Sequence, residues 1–235
     1  MSRFNKFGLP PSLKFSAPYP AWSQKNIQTV ELAVFTAWQC LADDVTTKQI
    51  LACGTEVEIS AQLLDALGVL LNAKSVKGFT GYVFEPPIRG QELEDVTGKE
   101  LEKRPDISIR LRASLPFTQH NSLFYECKRL SPTRTITEYI NEGLIKFCDQ
   151  RYAWGMDHAG MLAYIQKLSP IPQTTVELEN YWLGNPTSFT VPICDLAVES
   201  SGSISVAITV HQRLIPLPNG DTSGEITLRH LWLSS

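Results

Sequence analysis

The segments around Asp106 and Glu126 contain residue types that could hydrolyse a phosphodiester bond. Asp106 precedes a short β-like run at residues 107–111, and Glu126 and Lys128 lie in a second such run at residues 122–128. Side chains alternate between faces along a strand, so Glu126 and Lys128 share one face. Charged groups are rarely buried unless they are paired or metal-bound. The two runs therefore predict a hairpin that holds two carboxylates and an ammonium on one face. The alternative is an edge hairpin in which Glu126 and Lys128 form a solvated surface pair.

These groups match the needs of metal-assisted phosphodiester hydrolysis. Asp106, Glu126 and the backbone carbonyl of Cys127 offer the hard oxygen ligands that Mg²⁺ (or Mn²⁺) prefers. A cation held there would polarise a phosphoryl oxygen and lower the pKa of an attacking water. Lys128 would orient that water or neutralise charge that develops on the phosphate. The residues thus indicate a Mg²⁺-dependent phosphodiester hydrolase, a hypothesis that a cleavage assay tests.

The stretches PDISI (105–109) and YECK (125–128) resemble the motif of the PD-(D/E)xK nuclease superfamily. This superfamily includes restriction endonucleases, repair nucleases and phage-defence nucleases. The resemblance covers residues 55–166 in the order of a helix bearing an acid, three strands and a helix. It implies a restriction-endonuclease-like α/β fold, in which helices flank a mixed central sheet. It also implies metal ligation by Asp106 and Glu126, with catalytic support from Lys128.

The helix before the first strand is implied to carry a further metal ligand. Two acids, Glu56 and Glu58, open the predicted second helix. Thr55 and Glu58 have the spacing of a capping box, which uses the Glu58 carboxylate at the helix start. Glu56 is therefore the better candidate for the metal.

Several cations follow the motif and are candidates for phosphate contacts. Arg129, Lys146 and Arg151 are predicted to bind the nucleic acid, and Arg134 is a further candidate for a backbone contact. A solvated helix face is an equally good interpretation of Lys146 and Arg151. Gly143 lowers helix stability by about 1 kcal/mol relative to alanine, which favours a role in close helix–sheet packing.

Two histidines and an arginine lie on the predicted C-terminal strands. A general acid or a phosphate contact is one interpretation of His211, Arg213 and His230. Buried structural residues held by hydrogen bonds are the alternative, and strand histidines are more often of this kind.

Composition is that of a folded protein. The chain has 235 residues with a net charge of −3, and 43% of the residues are hydrophobic. This length and composition favour one α/β domain, which we place at residues 23–235. Residues 1–22 are expected to form an irregular arm before it. Five cysteines without CxxC spacing indicate reduced thiols. No apolar run approaches the ~20 residues of a membrane span, so we expect a cytoplasmic protein.

Apolar periodicity predicts the other elements. Helices are expected from Ser23 and Thr55, and over residues 137–152, 158–166 and 176–182. Short strands are expected at 81–84, 107–111 and 122–128. Two more, at 203–213 and 225–232, should form a C-terminal hairpin through a turn at 218–221.

The acidic net charge predicts weak intrinsic affinity for nucleic acid, since non-specific binding comes mainly from Lys and Arg contacts. DNA is the expected substrate, delivered by a helicase or another defence-system subunit. One alternative is a catalytically inactive nuclease fold that serves as a binding or assembly subunit. Another is an enzyme that uses a carboxylate-held metal on a small substrate.

Overall fold

A computed structural model describes residues 18–94, 104–113, 118–166, 171–201, 204–213, 216–217, 220–221 and 224–234. The protein is a mixed α/β fold around one seven-stranded sheet. In chain order its strands are β1 (Ile88–Arg89), β2 (Ile107–Ile109), β3 (Leu123–Leu130), β4 (His158–Ile165), β5 (Ala197–Ser201), β6 (Ile204–Gln212) and β7 (Glu225–Ser234). The sheet order is β1-β2-β3-β4-β7-β6-β5. Strand β3 pairs antiparallel with β2 and parallel with β4, so the sheet is mixed as predicted.

The helices in chain order are α1 (Gln24–Asp43), α2 (Val45–Cys53), α3 (Glu56–Ala73), α4 (Ile136–Glu138), α5 (Ile145–Cys148) and α6 (Ile171–Gly184). A π-helix, Tyr139–Leu144, joins α4 to α5. Ser23 caps α1 by accepting from the N–H of Asn26. Thr55 and Glu58 form the predicted capping box of α3. No described helix is long and apolar enough to cross a bilayer.

Helices cover both faces of the sheet. On one face the α1 ring of Trp38 stacks on Tyr164 of β4 at 5.5 Å between centroids, and Ser60 of α3 hydrogen-bonds the same tyrosine. On the other face Tyr139 of the π-helix contacts His230 of β7. The central strands are therefore buried on both sides, and a charged group there needs a specific partner.

Two predicted elements were wrong. Residues 158–166 were expected to be helical, but 158–165 form β4, which lies between β3 and β7. Its side chains are buried from Ala159 to Ile165, and periodicity alone does not separate such a run from a buried helix. Residues 81–84, expected to be a strand, form a turn with one isolated bridge between Phe84 and Leu111.

The other predicted strands are confirmed with small shifts of their ends. Strands β2 and β3 form the predicted hairpin, and β6 pairs antiparallel with β7. The predicted turn at 218–221 and the arm at 1–22 lie largely outside the described residues. Helix α2 and strands β1 and β5 were not predicted.

Candidate active site

The β2–β3 register brings Asp106 and Glu126 together. Ile107 pairs with Tyr125, so one further step in the same register places Asp106 opposite Glu126. Directly opposed residues have Cβ atoms about 4.5–5.5 Å apart. A carboxylate oxygen of Asp106, Oδ2, accepts from the backbone N–H of Cys127 at 2.7 Å. Asp106 therefore lies beside the Glu126–Cys127 part of β3, near enough for its charge to raise the pKa of Glu126.

The backbone carbonyl of Cys127 faces the segment before β2, where Pro105 has no N–H to donate. The same register places Pro105 opposite Cys127, and proline has no N–H. The N–H and C=O of one residue face the same neighbour in an antiparallel pair. Because the Cys127 N–H is held by Asp106, its carbonyl oxygen faces the same side. The carbonyl oxygen of Cys127, which the sequence predicts as a metal ligand, thus lies on the same side as Asp106.

Glu126 has one carboxylate oxygen engaged and one unpaired. Its side chain is 1% exposed, and Oε1 contacts the Nζ of Lys128 at 3.0 Å and of Lys146 at 2.5 Å. The second oxygen, Oε2, is buried without a hydrogen-bond partner among the described residues. Burial, and then the charge of Asp106, raises the pKa of Glu126 to about 7. Burying an unpaired polar atom is costly, so a bound ligand is the expected partner.

Lys128 is a fixed cation between two carboxylates. Its Nζ lies 3.0 Å from Oε1 of Glu126 and 3.1 Å from Oε1 of Glu56. Burial alone would lower the pKa of Lys128, but the charges of Glu126 and Glu56 outweigh it and the net effect is a rise. The side chain therefore stays protonated near neutral pH and acts as a hydrogen-bond donor, not as a base.

The start of α3 supplies Glu56. Its Oε1 contacts Lys128, and its Oε2 accepts from the backbone N–H of Arg129 at 3.0 Å. Glu58 instead folds back onto the N–H of Thr55 at 2.8 Å. Glu58 therefore caps the helix while Glu56 contacts the candidate site, as the sequence predicts. A metal-ligand role for Glu56 stays a prediction, because both of its oxygens here contact donors.

The cations predicted to bind phosphate differ in their contacts. Lys146 on α5 contacts Glu126, with its Nζ 5.4 Å from the ring centroid of Tyr152. Sequence reasoning did not predict this contact. Arg151 is held by Asp149, with Nε 2.8 Å from Oδ2. These contacts make Lys146 part of the carboxylate cluster.

Gly143 of the π-helix allows this helix to lie directly over the cluster. A Cβ atom at this position would come within 2.7 Å of Cε of Met161 and 3.2 Å of Cγ of Lys128. π-Helical turns are frequent at functional sites. The predicted close packing at Gly143 is confirmed, and the side chains it packs against are those of Met161 and Lys128.

His211 and His230 are buried residues held by hydrogen bonds, which agrees with the structural alternative. His230 hydrogen-bonds Tyr139 through Nδ1 and Thr209 through Nε2, both at 2.8 Å, and Thr209 also bonds His211. Burial lowers the pKa of His211 to about 4 and that of His230 to about 3, so both are neutral. Arg213 donates to main-chain carbonyls, among them that of Met156. These buried residues hold β6, β7 and the π-helix together.

The site offers oxygen donors for a divalent cation, but its third acid is held apart by an ammonium group. Asp106, the unpaired Oε2 of Glu126 and the carbonyl of Cys127 are hard oxygen donors on one side of β3. Within the described ranges no three His, Cys, Asp or Glu side chains are arranged as a metal-binding group. The Lys128 ammonium, which lies between Glu56 and Glu126, separates the third acid from the other two.

Comparison with models of known protein families finds no match for this chain, and comparisons with curated proteins and with solved structures find none either. The geometry of the site is therefore the basis for any functional conclusion.

The raised pKa of Glu126 predicts a pH-dependent loss of stability in metal-free protein. Its folded-state pKa, about 7, exceeds the ordinary 4.5. The stability that this carboxyl contributes is therefore complete below pH ~4.5 and is lost as pH rises through ~7. The shift corresponds to roughly 3 kcal/mol. Urea unfolding in EDTA should show Glu126→Gln gaining up to this amount over wild type between pH 5 and pH 8.

Comparing the two proteins removes the contributions of other titrating groups, including the buried histidines. Mg²⁺ at pH 8 should restore stability to the wild type and not to Glu126→Gln. If the free energies of unfolding of the two proteins changed with pH in parallel, Glu126 would not be charged in a buried site.

Proposed function

We propose that this protein is a Mg²⁺-dependent nuclease of the PD-(D/E)xK type. The observation that carries the proposal is that Oε2 of Glu126 is buried without a hydrogen-bond partner among the described residues, while Oε1 of the same carboxylate contacts Lys128. The order of elements supports it as well. Helix α3 bearing Glu56, strands β2 and β3 and the helical segment at 136–148 follow the order that the resemblance implies, whereas the first strand, expected at 81–84, is a turn followed by the two-residue β1.

Each group has a distinct chemical role in this proposal. Asp106, Glu126 and the Cys127 carbonyl would hold the cation. When bound, Mg²⁺ supplies Lewis-acid polarisation of the phosphate and a more acidic attacking water. Lys128, kept protonated and positioned by Glu56, donates to the water or to a phosphoryl oxygen on which charge develops.

DNA is the proposed substrate, in a restriction or phage-defence setting. The net charge of −3 predicts weak binding at physiological salt, where affinity depends on cationic contacts. We therefore propose that a helicase or another defence-system subunit delivers the nucleic acid. Efficient cleavage by the isolated chain at that salt concentration would contradict delivery by a partner.

The direct test is a cleavage assay on single- and double-stranded DNA and RNA with Mg²⁺, Mn²⁺ or EDTA. We expect metal-dependent hydrolysis that Glu56→Gln lowers about 10–100-fold, the usual effect of losing a group that orients the reacting ones. The matched control is Glu58→Gln, two residues along the same helix. Glutamine can keep the capping box with Thr55, so the substitution removes only a negative charge from the start of α3, costs about 0.3–1 kcal/mol of stability and leaves cleavage unchanged.

Three outcomes of the assay separate the alternatives. Metal-dependent cleavage that responds to Glu56 and not to Glu58 supports the nuclease. Nucleic-acid binding without cleavage under any metal contradicts it and favours the inactive binding or assembly subunit. Equal effects of the two substitutions would show that Glu56 acts only through the stability of α3.

A further inference from the structure

A cavity of about 260 Å³ opens beside the candidate active site. It lies between the start of α3 and the turn that follows β3. Its lining residues are Thr55, Glu56, Val57, Arg129 and Arg134. Glu56 belongs to both places, because its Oε1 contacts Lys128. A ligand in this cavity would therefore lie next to the groups proposed to act on the phosphodiester.

The charge of the cavity suits an anion. Its lining carries two guanidinium groups, those of Arg129 and Arg134, and one carboxylate, that of Glu56. Both oxygens of Glu56 already accept, one from Lys128 and one from the backbone N–H of Arg129. Its negative charge is thus compensated, and the two guanidiniums leave a positive excess.

Donor groups of the two lining arginines lack partners among the described residues. Nε of Arg129 is buried and makes no hydrogen bond within the described part of the chain, although Nη1 of the same group donates to the carbonyl of Gly54 at 3.1 Å. That bond holds the guanidinium in place. The side chain of Arg134 has neither an ion pair nor a hydrogen bond to any described residue. Arg151, by contrast, is already paired with Asp149.

We propose that this cavity binds a backbone phosphate of the nucleic acid, adjacent along the strand to the phosphate that is cleaved. The identity of the ligand rests on the proposed function. A guanidinium suits phosphate because its planar donors match two phosphate oxygens. Phosphate contacts position a strand without reading its bases. Arg129 and Arg134 therefore set the strand against Asp106 and Lys128 without sequence preference.

The test measures DNA binding as a function of salt in the full chain carrying Asp106→Asn to prevent cleavage. The plot of log K against log salt has a negative slope, and each lost phosphate contact makes that slope shallower by about 0.7–0.9. We expect this change in Arg134→Ala, and an unchanged slope in Arg134→Lys. Arg112→Ala is the control, since Arg112 lies beyond the far end of β2 and donates to the Gly81 carbonyl. In the active chain, Arg134→Ala should raise KM more than it lowers kcat.

The outcomes distinguish this subsite from the nuclease proposal. An unchanged salt slope in Arg134→Ala, with cleavage intact in the wild type, overturns the phosphate subsite alone. A slope that depends on Arg134 in a wild type that never cleaves overturns the nuclease and keeps the subsite. Failure to bind any single- or double-stranded oligonucleotide even at low salt, where cationic contacts are strongest, together with no cleavage overturns both.

Discussion

Lys128→Met is expected to lower the rate of metal-dependent cleavage by about 10²–10³-fold, the usual loss on removing one donor to a developing negative charge. Methionine keeps an unbranched apolar stem, so the packing against Gly143 remains. Glu126 keeps its contact with Lys146, and Glu56 keeps the hydrogen bond from the backbone N–H of Arg129. Neither carboxylate therefore loses all of its partners. Single-turnover rates on DNA in excess enzyme measure the effect, and circular dichroism checks the fold.

The matched control is Lys48→Met, at an exposed position of α2 outside the site. This variant should cleave at the wild-type rate. A Lys128→Met protein that cleaves within tenfold of the wild type would remove Lys128 from the chemistry. The proposed role of the β3 face would then fail even if the protein were a nuclease.

Gly160→Ala is expected to destabilise the protein by about 3 kcal/mol or more, the upper end for overpacking a buried site. Gly160 pairs with Tyr125 across β3 and β4, and a Cβ atom there would lie 2.1 Å from Cε1 of the tyrosine ring. The ring is 1% exposed and has little room to move. Because about 1 kcal/mol shifts Tm by 2–4 °C at this chain length, a thermal melt should show a fall of roughly 6–12 °C.

A second glycine provides the control. Gly68 lies within α3, and no atom comes within 4 Å of a Cβ added there. Gly68→Ala should therefore stabilise the protein by about 0.5–1 kcal/mol. Adding Gly160→Ala to a Tyr125→Ala background should cost far less than it does in the wild type. Additive costs would show that the ring does not lie over Gly160.

The sequence by itself determined which charged residues share the candidate site on β3 and part of their arrangement. Strand alternation places Glu126 and Lys128 together, and the short connection from Asp106 allows a hairpin. The capping box identified Glu58 as the cap and left Glu56 for the site. These features depend on neighbours close along the chain, so local rules are sufficient to predict them.

Tertiary structure alone decided the contacts between distant segments. Residues 158–165 became a strand because β3 and β7 lie on either side, a condition that local periodicity does not contain. Lys146 reaches Glu126 because the π-helix packs directly over β3 through Gly143. The unpaired oxygen of Glu126 likewise arises from burial between layers. Side-chain partners across a sheet depend on packing, which no short stretch of sequence encodes.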